Sequence, residues 1–98
     1  MEINLTFRHA HPSDALRKHI QDKLKRLEKY LIKATNAHVI LNVEGTWHLA
    51  EITLAESHHT FTAHERSPDM YHSVNTALAR LERQLKEHKE RVKEHHKS

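Results

Sequence analysis

Lysine and arginine are the residues that suggest this chain's chemistry, because they are concentrated in two segments. Seven bases against three acids fall in residues 13–34, seven against four in residues 80–98, and two against six elsewhere. Ammonium and guanidinium groups bind phosphate, and a surface that repeats them attracts a polyanion such as RNA. The sorting of charge therefore says more about a partner than the formal net charge of +3 does.

Catalytic chemistry has little support in the sequence. There is no glycine-rich phosphate loop, no nucleophile elbow and no compact acid/base constellation. The chain has no cysteine, which excludes disulfides, thiolate metal sites and thiol nucleophiles. We expect no enzyme activity, no small-molecule substrate and no cofactor.

Histidine is abundant, with twelve residues in 98, and raises the question of a metal site. No H-E-x-x-H or Cys/His framework is present, so we expect no functional metal. A weaker hypothesis is that histidines near the basic surface become charged below about pH 6.5 and strengthen phosphate binding. Three pairs are close in sequence: His9 with His11, His58 with His59, and His95 with His96.

Length and hydropathy bound the architecture. A chain of 98 residues is expected to form one domain, residues 1–98, with a frayed C-terminus. The most apolar run, Val39 to Leu41, is far shorter than the roughly 20 residues of a membrane-spanning helix, and no signal-peptide pattern precedes it. We expect a soluble, cytoplasmic protein.

The elements that must position the basic residues begin with a strand. Residues 2–7 alternate apolar and polar side chains, and residues 11–14 then supply a turn and a helix N-cap. Apolar residues that follow at steps of three and four predict a long amphipathic helix. They are Leu16, Ile20, Leu24, Leu27 and Leu31.

The first helix is also predicted to have a cationic face. Its five apolar residues occupy about 80° of a helical wheel, and five basic residues fall within roughly 100° on the far side. These are Lys18, Lys25, Arg26, Lys29 and Lys33.

The middle of the chain predicts three more strands. Apolar and polar side chains alternate in residues 37–44 and again in 47–55. Gly45, the only glycine, lies between these two segments, which favours a hairpin. A turn at residues 56–58 leads to a strand of about seven residues. Residues 67–69 then start the last helix, whose narrow apolar stripe is Val74, Leu78, Leu81, Leu85 and Val92.

The predicted fold is α+β with the order β-α-β-β-β-α, a four-stranded sheet with two helices on one face. The crossover should make the first two strands parallel, with the later strands added as a meander. The cationic faces of the two helices then become neighbours. The opposite sheet face is expected to be solvated and weakly acidic, with Glu51, Thr53, Thr60 and Thr62.

Both helices resemble the bacterial ribosome hibernation-promoting factor family. The second helix carries Asp-Met-Tyr at residues 69–71 and Arg-Leu-Glu-Arg-Gln-Leu-Lys-Glu-His-Lys at 80–89. The first carries Asp-Ala-Leu-Arg at residues 14–17 and Leu-Lys-Arg-Leu-Glu-Lys-Tyr at 24–30. Residues 72–75 and the turn near Ser57 depart from the family's usual pattern. The chain is similar to a short form, or to the N-terminal domain of a long form.

The resemblance implies a fold akin to double-stranded-RNA-binding domains and a partner, the small ribosomal subunit with its 16S rRNA. It implies binding in the channel used by mRNA and tRNA, with translation silenced and, in some species, ribosomes paired. Two rivals stay open: a protein–protein scaffold that uses the sheet face or helix ends, and a generic duplex-RNA binder. The oligomeric state is left open.

Ten residues are predicted to contact ribosomal RNA as a group, with the arginines forming the most specific contacts. The alternative is that they only solvate the helices, aided by the pairs Glu82 with Lys86 and Glu87 with Arg91. Met70 and Tyr71 are expected to pack at the helix start, with base stacking as the minority alternative, and Trp47 is a weak candidate. The ten are Lys18, Lys25, Arg26, Lys29, Lys33, Arg80, Arg83, Lys86, Lys89 and Lys93.

Overall fold

The computed structural model describes residues 1–33 and 36–97, with side chains as far as residue 91. Expectations about the side chains of Val92, Lys93, His95 and His96, and about fraying at the C-terminus, fall outside these described parts. The elements are β1 (Glu2–Arg8), α1 (Asp14–Leu27), a short 3-10 helix (Glu28–Tyr30), β2 (Asn36–Glu44), β3 (Trp47–Glu56), β4 (His59–Ser67) and α2 (Met70–Lys97).

The sheet has the predicted topology. Its strand order is β1-β2-β3-β4, with β1 parallel to β2 and the other pairs antiparallel. Glu44 pairs with Trp47, so Gly45 is the first of two residues in the β2–β3 turn, and its φ is +62°. A positive φ at that position is what a type II′ hairpin turn requires, and glycine adopts it without steric cost.

Both helices cover one face of the sheet, as predicted. Alternate residues of the strands meet the apolar stripes of α1 and α2 in a single cluster, which excludes water from the space between the layers. Its most deeply buried large side chains are Ile20, Leu24, Val39, Leu41, Ile52, Leu54, Val74, Leu81 and Leu85.

The first helix is shorter than its apolar periodicity predicted. It ends at Leu27, continues as one 3-10 turn, and reaches Leu31 in extended conformation at φ −103°. Fourteen helical residues span about 21 Å and seven strand residues about 23 Å, so α1 already covers the length of β1. Leu31 still packs against the core, but the prediction that Leu31 and Lys33 lie on the helix was wrong.

The second helix begins just after the predicted Ser-Pro-Asp segment. The main-chain N–H of His72 donates to the Asp69 carboxylate over 2.9 Å, which caps the start at Met70. Its 28 residues extend about 42 Å, well past the sheet, and the molecule measures 51 × 22 × 19 Å. No described helix is both long and apolar enough to cross a membrane.

The second face of the sheet carries no helix. Glu51, Thr60 and Thr62 are exposed there and Thr53 is half-buried, so the expected solvated face is confirmed. Trp47 lies on the same face, because it alternates with the inward residues of β3, and its exposed fraction is 43%.

Candidate nucleic-acid interface

The two helices lie side by side and run in the same direction. Near their beginnings, Nε2 of His19 is 2.7 Å from Oδ1 of Asn75, a hydrogen bond between α1 and α2. After α1 ends, Nζ of Lys89 donates to the main-chain oxygen of Lys29 over 2.9 Å. These two contacts fix the helices as neighbours at both ends of α1.

Between the helices lies an open groove of about 320 Å³ with one basic wall. Lys23, Arg26 and Lys29 line the α1 side, and all three side chains are exposed. The α2 side contributes a single carboxylate, that of Glu82. Positive charge is therefore concentrated along one side of a groove that is open to a partner.

At the end of the groove, three lysines surround one aromatic ring. The Nζ atoms of Lys29, Lys86 and Lys89 lie 5.2, 5.8 and 5.9 Å from the ring centroid of Tyr30. Each ammonium group is attracted by the electron-rich face of the ring. Lys29, Lys86 and Lys89 around Tyr30 form what we call the Tyr30 lysine cluster.

One member of this cluster also has a carboxylate partner. Nζ of Lys86 is 3.1 Å from Oε1 of Glu82, an i,i+4 pair on α2 that the sequence predicted. The hydrogen bond with Glu82, with a smaller contribution from Tyr30, raises the pKa of Lys86 above its ordinary value of 10.5. The lysine is therefore held in its charged form.

Three more of the predicted residues face solvent away from the groove floor. Lys18 and Lys25 are exposed on α1 and lie on the side opposite its apolar stripe. Arg83 is exposed on α2 beside Glu87 and Glu90, whose carboxylates offset its charge. The exposed surface of α2 thus carries charges of both signs. Among the described residues, no ion pair joins Glu87 to Arg91.

Arg80 and Lys33 lie apart from the groove. The Arg80 guanidinium donates to the main-chain oxygen of His64 over 3.0 Å and lies 3.1 Å from the Glu65 carboxylate, so α2 is tied to β4. Lys33 follows the 3-10 turn and lines a separate depression with His58 and His59. Of the predicted ten, the structure brings together Arg26, Lys29, Lys86 and Lys89.

Lys23 and Tyr30 were not singled out from the sequence as part of the interface. Lys23 lies three residues after Ile20 and four before Leu27, which places it on a flank of the apolar stripe. That spacing was available, but nothing in one sequence says which flank faces the second helix. Tyr30 was noted only as the last residue of the family-like segment 24–30, with no role in the interface.

The aromatic candidates behave differently from one another. Met70 packs against the core, as predicted, whereas Tyr71 is 43% exposed and its ring lies 5.7 Å from that of His19. Trp47 lies on the uncovered sheet face with the Arg66 guanidinium 4.8 Å from its ring centroid. Tyr71 thus adjoins the groove, and Trp47 does not.

The histidines are dispersed over several sites. His9, His11 and His48 line an apolar cleft at the end of β1. The rings of His59 and His88 meet edge to face, with their centroids 4.2 Å apart. Among the described residues, no group of three or more His, Asp or Glu is arranged to hold a metal ion.

The sequence matches one protein family over nearly its whole length. The profile described as "Sigma 54 modulation protein / S30EA ribosomal protein" covers residues 3–93. The chain belongs to this family. Its members include proteins named ribosome hibernation promoting factor, so the resemblance seen in the two helices is confirmed.

Curated members of the family align end to end with this chain. A "Ribosome hibernation promoting factor" of Salmonella typhimurium is 30% identical over 95 residues, which cover 97% of this chain and 100% of that protein. One of Pseudomonas putida is 34% identical over 91 residues, 93% of this chain and 89% of that protein.

Solved structures of related proteins have the same fold. The N-terminal domain of Thermus thermophilus Protein Y superposes with a TM-score of 0.80 at 30% identity, covering 89% of this chain and 98% of that one. A ribosomal subunit interface protein from Coxiella burnetii gives a TM-score of 0.78 at 27% identity, with 91% and 98% covered. The family fold predicted from the sequence is therefore confirmed.

Proposed function

We propose that this protein is a cytoplasmic ribosome hibernation factor that binds the small ribosomal subunit. Its basic helix surface contacts 16S rRNA in the decoding channel used by mRNA and tRNA. Translation is silenced because the sites of mRNA and tRNA are occupied. No covalent bond is made or broken in this mechanism.

The observation that carries the proposal is the one-sided groove between two parallel helices. Lys23, Arg26 and Lys29 form a continuous exposed wall, and the Tyr30 lysine cluster extends it. Charges spaced along a surface match the repeating phosphates of an RNA backbone, and lysines act there as point charges. Family membership supports ribosomal RNA as the source of those phosphates.

The test is co-sedimentation with purified small subunits over a salt series. The groove variant carries Lys23→Ala and Arg26→Ala; the control carries Arg8→Ala and Arg66→Ala, which removes the same charge from the uncovered sheet face. We expect binding that falls steeply with salt, a loss of affinity in the groove variant, and near wild-type binding in the control. Equal losses in both variants would show that only net charge matters.

Three further measurements separate the decoding channel from the rival functions. Subunits loaded with mRNA and tRNA should bind the protein poorly, because the proposed sites are the same. Binding to an isolated RNA duplex as tight as to subunits would favour a generic duplex-RNA binder. Salt-insensitive self-association without subunit binding would favour a scaffold.

A further inference from the structure

The first strand forms one edge of the sheet. In the described part of the chain, β1 pairs only with β2, along its whole length from Glu2 to Arg8. Main-chain groups of alternate residues point to opposite sides of a strand, so every second residue of β1 directs its N–H and C=O groups away from β2. Among the described residues, no hydrogen bond outside the β1–β2 pairing uses a main-chain group of β1. Such an edge can accept a further strand.

The opposite edge of the sheet, β4, is protected by α2. Side chains of Gln84 and Arg80 donate hydrogen bonds to the main-chain oxygens of Thr62 and His64, over 2.9 and 3.0 Å. These two oxygens belong to alternate residues of β4, so they lie on the same side of the strand. A strand added there would have to displace both side chains. The two edges therefore differ, and β1 is the one with free main-chain groups.

Apolar side chains along β1 give a second reason for pairing. Ile3, Leu5 and Phe7 pack against the core but are only half-buried. The inward residues of β2 that pair with them are at most 1% exposed. The difference arises because β1 has a neighbouring strand on one side only. A strand added at this edge would cover the remaining apolar surface, and its burial favours association.

We propose that the edge of β1 is a docking surface for the β1 strand of a second copy of this chain. The sequence of the strand is complementary to itself when two copies run antiparallel about Leu5. Glu2 then lies opposite Arg8 of the second copy, apolar residues face apolar residues, and an amide faces a hydroxyl. The pairs are Glu2–Arg8, Ile3–Phe7, Asn4–Thr6 and Leu5–Leu5.

This register is the one that pairs both charges. Opposite residues of antiparallel strands point to the same face of a sheet, so the charged pairs lie on the face without helices and the apolar pairs on the covered face. A shift by two residues in either direction leaves Glu2 and Arg8 without a partner of opposite charge. A shift by one residue sets inward side chains opposite outward ones. The twofold axis therefore passes through Leu5, and the interface is isologous.

The contact is expected to be weak and separate from the basic groove. A strand of seven residues is about 23 Å long, so its edge buries less than the roughly 1,600 Å² of a standard interface, and we expect a dissociation constant on the order of 0.1 mM. α2 packs on β3 and β4, whereas α1 lies on the β1 side, where the Arg17 guanidinium is 5.5 Å from the ring centroid of Phe7. The groove between the helices stays open in the dimer, and the pairing does not depend on the function proposed above.

Analytical ultracentrifugation of the full chain tests the pairing, over protein concentrations from about 10 µM to about 1 mM. The mass of the wild type should rise from 11.6 kDa toward twice that value. Glu2→Arg sets arginine against arginine, and Arg8→Glu sets glutamate against glutamate, so each exposed change should weaken association by at least about threefold. The control Glu51→Arg makes the same change of charge in the centre of the uncovered sheet face and should stay within about twofold of wild type.

An equimolar mixture of the Glu2→Arg and Arg8→Glu variants tests the register. In the mixed pair every arginine faces a glutamate, so the mixture should associate with near wild-type affinity although neither variant does so alone. NMR spectra of the wild type should show concentration-dependent shifts for amides of β1 and none for those of β4. The proposal is wrong if the wild type stays monomeric at about 1 mM, if Glu51→Arg weakens association as much as Glu2→Arg, or if the mixture associates no better than its components.

Discussion

The hydroxyl of Ser73 donates a hydrogen bond to the main-chain oxygen of His48 over 2.7 Å. Ser73 is fully buried on α2, and its Oγ also lies 2.6 Å from the Oγ of Ser67 at the end of β4. The start of α2 is therefore joined to two strands by polar contacts inside an apolar core.

Ser73→Ala should destabilise the protein by about 1–3 kcal/mol, because the buried oxygens of His48 and Ser67 each lose a partner. Chemical denaturation gives the free energy of unfolding. Ser57→Ala, in the exposed β3–β4 turn, is the matched control and should leave it nearly unchanged. Equal midpoints for the two variants would show that the buried contacts contribute nothing.

The N-cap of α1 supports a second prediction. The main-chain N–H of Leu16 donates to Oγ of Ser13 over 3.2 Å, which satisfies one of the free donors of the first turn. Ser13→Ala should cost about 0.5–2 kcal/mol. Ser13→Asp should retain stability, since aspartate also caps helices and its charge suits the N-terminal end of the helix. An unfolding temperature of Ser13→Asp as low as that of Ser13→Ala would contradict this prediction.

Arg80 should matter for the fold more than for binding. Its guanidinium is engaged by His64 and Glu65 on β4, so Arg80→Ala should lower the free energy of unfolding by at most about 1 kcal/mol. Its affinity for small subunits should stay within about twofold of wild type. By contrast, Arg26→Ala should reduce the slope of log affinity against log salt by roughly 0.7–0.9, as expected for one lost phosphate contact. A reduced slope for Arg80→Ala would place that residue at the RNA.

The pKa of Lys86 supports a prediction about pH. The hydrogen bond to Glu82 raises this pKa, so the pair stabilises the folded state. This stabilisation is fully present when the pH is below the ordinary value of 10.5, and it is lost as the pH rises through the pKa of the folded state. Glu82→Gln should shift the pKa of Lys86 down toward 10.5. NMR titration of the lysine side chain measures it directly, and an unchanged pKa in the variant would exclude Glu82 as the main cause.

The fold was predictable because its signals are local and consistent with one another. Alternation marked each strand, Gly45 marked the hairpin, and the steps of three and four marked both helices. The end of α1 was not predictable in the same way, since Leu31 continues the helical spacing. Leu31 instead reaches the core from an extended segment. The length of the sheet, and not the apolar spacing of the helix, determines how long α1 has to be.

The sequence predicted that the candidate site is basic, but it did not predict which basic residues form it. Counting charges identified two basic helices, but it gave Arg80 the same weight as Arg26. Arg80 is engaged only because α2 packs against β4. Arg26 lies beside a groove only because α1 packs against α2. The positions of Lys23 and Tyr30 in the site also depend on how α1 and α2 pack against each other. No local sequence pattern predicts that packing.

The bare second face of the sheet has a practical consequence for experiments. Trp47 is the only tryptophan, and it lies on that face, on the opposite side of the sheet from the basic groove. Its intrinsic fluorescence should therefore report unfolding while staying silent when RNA occupies the helices. The native chain thus carries its own stability probe, so the substitutions above can be ranked for folding without a label and without interference from the ligand.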